Sequence, residues 1–331
     1  MLLLAILVIA LIGVSSKLLT GGNGAVGNSS DTNETVIAIA QGDNVTAAAA
    51  GAAHPPTVQG DGTDQGQTPR ITAQPAPTYA NGAKTPTNQP GISAAAYAVL
   101  DVGTNQILLA SNDSDQRPIA SLTKMMTGLL VAEAGDMAHL VEASEVAAAV
   151  EPNKDGLIIG NLYPRGILLY SALLGSNNDA AAALGEDLGG TYGSFYRMMN
   201  RRAKQLGMTN TRYASSSGLN DDRNYSTARD QTIMLARALE NPLFARVTRT
   251  QTHRVRWPDD GKSRTYENHN DMLQTYRGTI GGKTGFTTIA SGCLAVAVTR
   301  GNHTLIGVVL GTRDIWRDMQ RLLDAGFKRT A

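Results

Sequence analysis

The chain has 331 residues, and its 29 basic side chains almost balance its 28 acidic ones, which gives a net charge of +1. This balance excludes a general nucleic-acid binder, because such domains are strongly basic. The single cysteine, Cys293, excludes an internal disulfide and any metal or iron–sulfur site that needs several cysteines. The hydrophobic content of 42% is enough for a folded core, but it is spread unevenly along the chain.

The first 16 residues carry no charged side chain, and residues 2–14 are almost entirely leucine, isoleucine, valine and alanine. This run is shorter than the about 20 residues that span a bilayer, but its length is typical of a signal peptide. No lysine or arginine precedes it, and Lys17 follows it. Residues 1–19 are therefore interpreted either as a signal peptide or as an N-terminal membrane anchor, and any membrane attachment is expected to be through this segment.

Residues 20–92 have the composition of a linker. Seven of the 12 prolines lie there, and Tyr79 is the one aromatic residue before residue 93. Such a segment buries too little apolar surface to offset its chain entropy, so we predict that it is disordered. It would act as a spacer between the N-terminal segment and a catalytic domain at residues 93–331.

The patterns after residue 92 predict strands at both ends of a domain and helices between them. Alternating apolar residues on either side of Gly103 predict a β-hairpin at residues 94–110. Periodic segments predict helices at 121–134, 166–184 with a break at 176–178, 194–206, 228–239 and 315–327, and strands at 293–298 and 304–310. This order indicates an α/β (α+β) fold: one antiparallel sheet, built from both ends of the domain and flanked by helices, with an inserted all-helical lobe.

Ser121 and Lys124 form the first of three short polar motifs that lie where these elements begin or break. They are three residues apart at a helix start, so they share one face of the helix. A lysine there can take the serine proton when burial and nearby positive charge keep its amine neutral. Helix-end N–H groups would also favour the oxyanion of an acyl transfer. Taken alone, an N-cap serine followed by a solvated lysine would look the same.

The second motif, Ser176-x-Asn178, interrupts a helical run of leucine and alanine. Lining a cleft is one reason for such a break, and a plain helix junction is the other. The third motif, Lys283-Thr284-Gly285, precedes a strand-like run, where a lysine and a hydroxyl can bind a carboxylate. Gly285 would let a substrate backbone approach closely, although a hairpin entrance has a similar composition. The three motifs in this order are a signature of penicillin-recognising serine acyl enzymes.

Residues 93–331 resemble the serine D-Ala-D-Ala carboxypeptidases among the low-molecular-weight penicillin-binding proteins. The likeness extends through residues 117–127, 173–181, 217–219, 225–230, 268–270 and 282–287. It departs at Asn177, where Gly or Asp is commoner, and at Gly282, where an aliphatic residue is usual. The resemblance implies a β-lactamase/transpeptidase-like fold, peptidoglycan stem peptides as substrate, β-lactams as covalent inhibitors and an extracytoplasmic location. It implies no cofactor and no metal, and the five histidines show no metal-ligand spacing.

The resemblance also implies catalytic roles. Ser121 would be the nucleophile and Lys124 its base. Ser176 and Asn178 would relay a proton and hold the substrate amide. The backbone N–H groups of Ser121 and Phe286 would form the oxyanion hole.

The remaining implied roles concern substrate binding. Lys283 and Thr284 would hold the terminal carboxylate, with Gly285 leaving room for the substrate backbone. The family also uses a downstream arginine for this carboxylate. Arg313 is our candidate for it, and Arg317 is the alternative.

Two other functions are compatible with the same motifs. A β-lactamase of this fold relies on a glutamate that activates the deacylating water. The glutamates between Asn178 and Lys283 are Glu186, Glu240 and Glu267, and none lies within residues 209–220, where the resemblance would place it. A non-catalytic penicillin-binding sensor would keep all three motifs and release no D-Ala.

Overall fold

The protein is described from a computed structural model that covers residues 75–82, 87–219 and 222–330. Residues 1–19, interpreted as a signal peptide or anchor, and residues 20–74 of the predicted linker lie outside this range. Within it, none of the helices combines the length and the apolar character needed to cross a bilayer.

The fold of the described residues is a mixed α/β arrangement of strands and helices. The strands are β1 (Thr78–Tyr79), β2 (Ala96–Asp101), β3 (Gln106–Ser111), β4 (Leu140–Glu142), β5 (Leu162–Pro164), β6 (Thr252–Arg256), β7 (Ser263–Glu267), β8 (Thr279–Thr287), β9 (Ser291–Arg300) and β10 (His303–Thr312). The helices are α1 (Thr123–Ala134), α2 (Glu145–Ala148), α3 (Arg165–Leu173), α4 (Asn178–Gly189), α5 (Tyr192–Gln205), α6 (Ala228–Ala238), α7 (Pro242–Arg249), α8 (Met272–Thr275) and α9 (Ile315–Phe327).

Six of these strands form one sheet in the order β1-β3-β2-β10-β9-β8. Strand β1 runs parallel to β3, and every other neighbouring pair is antiparallel. The prediction of one sheet built from both ends of the domain is therefore confirmed. The prediction that the inserted lobe is all-helical is wrong, because the lobe contains the pairs β4–β5 and β6–β7. These strands have only three to five residues, so their sequence is too short to give a strong apolar alternation.

Both faces of the sheet are covered. Every residue of β2 is buried, and its side chains alternate between two cores. Val99 packs with the α9 side chains Met319 and Leu322 on one face. Ala98 belongs to the larger core on the other face, which includes Met125 of α1. Strand β8 is at one edge of the sheet, and it contacts the segment that leads into α1.

The segment before residue 93 is ordered over part of the predicted linker. Thr78 and Tyr79 pair with Gln106 and Ile107 of β3. The Tyr79 hydroxyl donates to Asp113 over 3.0 Å, and the guanidinium of Arg229 lies 4.4 Å from the centre of its ring. The folded region thus begins earlier than the predicted boundary at residue 93. Tyr79, the one aromatic residue of the linker, was the available signal.

Candidate active site

Ser121 lies in a single 3₁₀ turn, Ala120–Leu122, directly before α1. Ala120 has a φ of 46°, so the chain turns sharply before the helix begins. Two glycines allow other segments to reach this turn. A Cβ on Gly218 would lie 1.9 Å from the carbonyl oxygen of Ala120, and one on Gly285 would lie 2.9 Å from the nitrogen of Ser121. Glycine at both positions therefore lets the loop at 218 and strand β8 close around Ser121.

Lys124 is the second residue of α1, and its side chain is fully buried at 0% exposure. Its Nζ lies 3.0 Å from Ser121 Oγ, 2.6 Å from Asn178 Oδ1 and 2.9 Å from the carbonyl oxygen of Ser217. All three are oxygen atoms, and no carboxylate is among these partners. The amine is thus hydrogen-bonded to neutral groups, and none of these three partners is a counter-ion.

The pKa of Lys124 is lowered well below the usual value for lysine. Burial is the main cause, since it penalises the charged ammonium, and the positive charge of Lys283 acts in the same direction. The carboxylate of Asp179 opposes both effects but does not outweigh them. Burial and the charge of Lys283 thus both act in favour of the neutral amine, which is the form that can accept a proton from Ser121.

Ser176 and Asn178 lie at the junction between α3, which ends at Leu173, and α4, which begins at Asn178. Ser176 has a φ of 59°, so the predicted break in the helical run is a real change of direction. Its Oγ accepts a hydrogen bond from Lys283 Nζ over 3.0 Å. The junction thus connects both lysines, since Asn178 contacts Lys124 and Ser176 contacts Lys283.

Lys283 is in β8 and is only 2% exposed. Its amine donates to Ser176 Oγ and to the carbonyl oxygen of Thr284, each over 3.0 Å. Burial lowers its pKa to about 7. Lys283 therefore changes charge near neutral pH, so it can be cationic when it meets an anionic group.

A cleft of about 380 Å³ opens beside these residues. Ser121, Ser176, Asn178 and residues 284–286 line it, as the sequence predicted for a shared site. Its lining also includes Asn153, Leu219, Ile315 and Trp316, none of which was a predicted site residue. Among the described residues of the lining there is no aspartate or glutamate. The described lining thus offers no carboxylate of the kind that the β-lactamase alternative requires.

The two candidate arginines are not part of this lining. Arg313 and Arg317 are both exposed, at the end of β10 and in the first turn of α9. Asp314 accepts the backbone N–H of Arg317 over 3.0 Å and thereby caps α9. The first turn of α9 then presents Ile315 and Trp316 to the cleft. The chain between β10 and α9 has no periodic pattern, so the sequence alone could not predict which of its residues would face the cleft.

His269 also lines the cleft. Burial is the main cause that lowers its pKa, and the charge of Lys283 adds to it. Over the residues that the structure describes, no group of three or more histidine, cysteine or carboxylate side chains is placed to hold a metal ion.

A serine in contact with a buried lysine of lowered pKa, beside the edge of a sheet flanked by helices, defines the class of serine acyl-transfer enzymes. The comparisons with known proteins narrow this class. A family model described as D-alanyl-D-alanine carboxypeptidase matches residues 83–314.

Curated relatives and solved structures agree with the family model. The D-alanyl-D-alanine carboxypeptidase of a Streptomyces species is 32% identical over 262 residues, which cover 73% of this chain and 90% of that protein. DacF of Bacillus subtilis, also a D-alanyl-D-alanine carboxypeptidase, is 31% identical over 239 residues, and these cover 70% of this chain and 61% of DacF. A variant of a Streptomyces DD-transpeptidase superimposes with a TM-score of 0.68 at 31% identity, covering 72% of this chain and 100% of that one.

The chain belongs to the D-alanyl-D-alanine carboxypeptidase family, and it is a serine-type D-Ala-D-Ala carboxypeptidase. The fold class predicted from the sequence is confirmed. The family supports peptidoglycan stem peptides as substrates and inhibition of the penicillin type.

Proposed function

We propose that the enzyme removes the terminal D-Ala by a two-step acyl transfer through Ser121. The observation that supports this most strongly is the fully buried amine of Lys124, 3.0 Å from Ser121 Oγ. Neutral Lys124 accepts the serine proton while Ser121 Oγ attacks the carbonyl carbon of the penultimate D-Ala. The C–N bond to the terminal D-Ala breaks, and the leaving amine takes a proton through Ser176. Water then hydrolyses the acyl-enzyme and regenerates the serine hydroxyl.

The partners of Lys124 support its assignment as the base. A neutral amine has two N–H donors and one lone pair, whereas the Asn178 Oδ1 and the carbonyl oxygen of Ser217 can only accept hydrogen bonds. These two oxygens, at 2.6 and 2.9 Å, therefore take both hydrogens. The lone pair is left for the third neighbour, the hydroxyl of Ser121. The hydrogen bonds thus orient the base as well as bind it.

The substrate is proposed to lie along β8 with its terminal carboxylate at Lys283 and Thr284. The backbone of Gly285 lies against the nitrogen of Ser121. This favours an oxyanion hole made from the backbone N–H groups of Ser121 and Phe286. Lys283 is buried and donates to Ser176, which lines the cleft. Arg313 is not assigned to the carboxylate in this proposal, because it is exposed and lies outside the cleft lining.

We also propose that the catalytic domain acts outside the cytoplasm, on the wall side of the membrane. The apolar run at residues 2–14 supports export as a signal peptide or anchor. The composition of residues 20–74, which include no aromatic residue, supports a spacer between that segment and the folded domain.

D-Ala release separates the proposed function from its two alternatives. The full chain is incubated with a diacylated Lys-D-Ala-D-Ala peptide and, separately, with nitrocefin. We expect many turnovers of D-Ala release and nitrocefin opening limited to about one equivalent before slow turnover. Rapid nitrocefin turnover without D-Ala release would favour the β-lactamase instead. Stoichiometric labelling by a fluorescent penicillin without any D-Ala release would favour the sensor.

The charge of Lys283 predicts a specific pH dependence. Because its pKa is about 7, its ammonium is lost as the pH rises through that value, and its attraction for a substrate carboxylate is lost with it. We expect kcat/KM for a peptide with a free terminal carboxylate to fall above about pH 7. The corresponding methyl ester lacks the carboxylate, so its kcat/KM should show no such fall. An identical alkaline fall for the acid and the ester would contradict this role of Lys283.

A further inference from the structure

The loop at residues 152–157 lies between the Ser176–Asn178 junction and the β6–β7 hairpin. On the junction side, the carbonyl oxygen of Asn153 accepts the N–H of Asn178 over 2.8 Å. The side chain of Asn153 donates to the carbonyl oxygen of Ser176, also over 2.8 Å. The carbonyl oxygen of Pro152 accepts a hydrogen bond from Asn178 Nδ2. The loop therefore holds both the backbone and the side chain of the junction.

The same loop is bound to the first turn of α4. The carboxylate of Asp179, which is fully buried, accepts the N–H groups of Asp155, Gly156 and Leu157 over 2.9, 2.8 and 3.2 Å. A carboxylate that accepts several backbone N–H groups fixes their positions firmly, because each of these bonds is charge-assisted. The path of the loop is thereby coupled to the start of the helix that carries Asn178.

Asp155 connects this loop to strand β7. Its side chain is 7% exposed, and its carboxylate accepts hydrogen bonds from the hydroxyl of Tyr266 over 2.5 Å and from Arg264 Nη1 over 3.1 Å. Arg264 Nη1 also donates to the carbonyl oxygen of Asp155 over 2.7 Å. The guanidinium itself stacks 3.8 Å from the ring of Trp257. Asp155 thus binds two side chains of a hairpin that supplies no residue to the cleft lining.

We infer that Asp155 is a positioning residue, which through the loop at 152–157 keeps the Asn178 amide in the orientation that Lys124 requires. This inference rests on the proposed function of Lys124 as the base. Asn178 Oδ1 can accept from Lys124 only while its Nδ2 points the other way, toward the carbonyl oxygen of Pro152. If the loop moves away, the amide is free to turn over and present its NH₂ group to the amine. The lone pair of Lys124 would then accept a hydrogen bond from that NH₂ group and would no longer be directed at Ser121.

The test compares Asp155→Asn with Asp260→Asn in the full chain. Asp260 belongs to the turn of the same hairpin and pairs with Lys262 at 3.8 Å, so its variant controls for loss of an acidic side chain there. Acylation by a fluorescent penicillin gives three quantities: the affinity of the non-covalent complex, the acylation rate constant and the final amount of label per chain. For Asp155→Asn we expect the rate constant to fall by about 10². The affinity should change less than about threefold, because the groups that hold the carboxylate are untouched. Asp260→Asn should match the wild type.

The final amount of label distinguishes positioning from a general structural role. A positioning role leaves it at one per chain and slows only the rate. A merely structural role lowers the fraction of chains that label, while those that do label react at the wild-type rate, and this result would overturn the inference. Wild-type rate and amount for Asp155→Asn would overturn it as well.

A second variant keeps the test decisive if Asp155→Asn unfolds. Tyr266→Phe removes one hydrogen bond to Asp155. The pairing of Asp155 with Arg264 is retained, so the chain should fold. We expect a slower acylation rate with full labelling, and a wild-type rate would count against the inference. If the wild-type protein itself neither labels nor releases D-Ala, the proposed function fails, which is a separate result.

Discussion

Replacing Lys124 with methionine is expected to slow the acylation of Ser121 by about 10³-fold. Methionine has a similar length and suits a fully buried position, but it offers no lone pair of sufficient basicity to accept the serine proton. The rate is measured with a fluorescent penicillin under single-turnover conditions. Lys262→Met, on the exposed turn of the β6–β7 hairpin, is the matched control and should react like the wild type.

A second substitution at the same position tests why the lysine is needed. Lys124→Arg retains a positive charge but cannot act as a base, because guanidinium stays protonated at all accessible pH values. We expect it to acylate as slowly as Lys124→Met. Near-normal acylation by the arginine variant would show that position 124 contributes charge and not proton transfer, which would refute the proposed mechanism.

Ser121→Ala is expected to abolish covalent labelling by penicillins and to lower D-Ala release at least about 10⁴-fold. The variant has no oxygen with which to form an acyl-enzyme. It should keep its fold, since Lys124 retains its contacts with Asn178 and with the carbonyl oxygen of Ser217. Thermal unfolding close to that of the wild type is the control for folding. D-Ala release that survives in a correctly folded variant would show that another nucleophile performs the reaction.

The three motifs could be placed from the sequence because each disturbs a regular pattern. Ser121 precedes a helical period, Ser176 interrupts one, and Lys283 precedes a strand-like run. In the structure these are the 3₁₀ turn before α1, the α3–α4 junction with its positive φ, and the edge strand β8. The central sheet could also be predicted from the sequence, because the apolar residues of its longest strands either alternate with polar ones or form continuous runs.

The arginine that the family places near the carboxylate could not be assigned from the sequence. Arg313 and Arg317 differ in their position relative to a helix start, and the cap at Asp314 sets where α9 begins. A shift of the start by one residue would change which side chains face the cleft, because successive helical residues are rotated by about 100°. The observed position of helix α9 was therefore needed to show that Ile315 and Trp316 line the cleft.

The role of the loop at residues 152–157 could not be predicted from the sequence either. Many of its contacts with the site are made by backbone carbonyls and N–H groups, which every residue possesses, so its composition gives little signal. Its partner Tyr266 is 111 residues away along the chain from Asp155, on a hairpin that the polar pattern did not reveal. Contacts of this kind depend on the tertiary fold and not on local periodicity.

The central claim is that the hydroxyl of Ser121, oriented by a neutral lysine, becomes covalently acylated. Intact mass spectrometry of the full chain after exposure to benzylpenicillin, followed by proteolysis and mapping of the adduct, tests it directly. The account predicts one added penicilloyl group per chain, located on the peptide that contains Ser121. An adduct on a peptide without Ser121, or an unmodified chain under conditions in which D-Ala is still released, would contradict it.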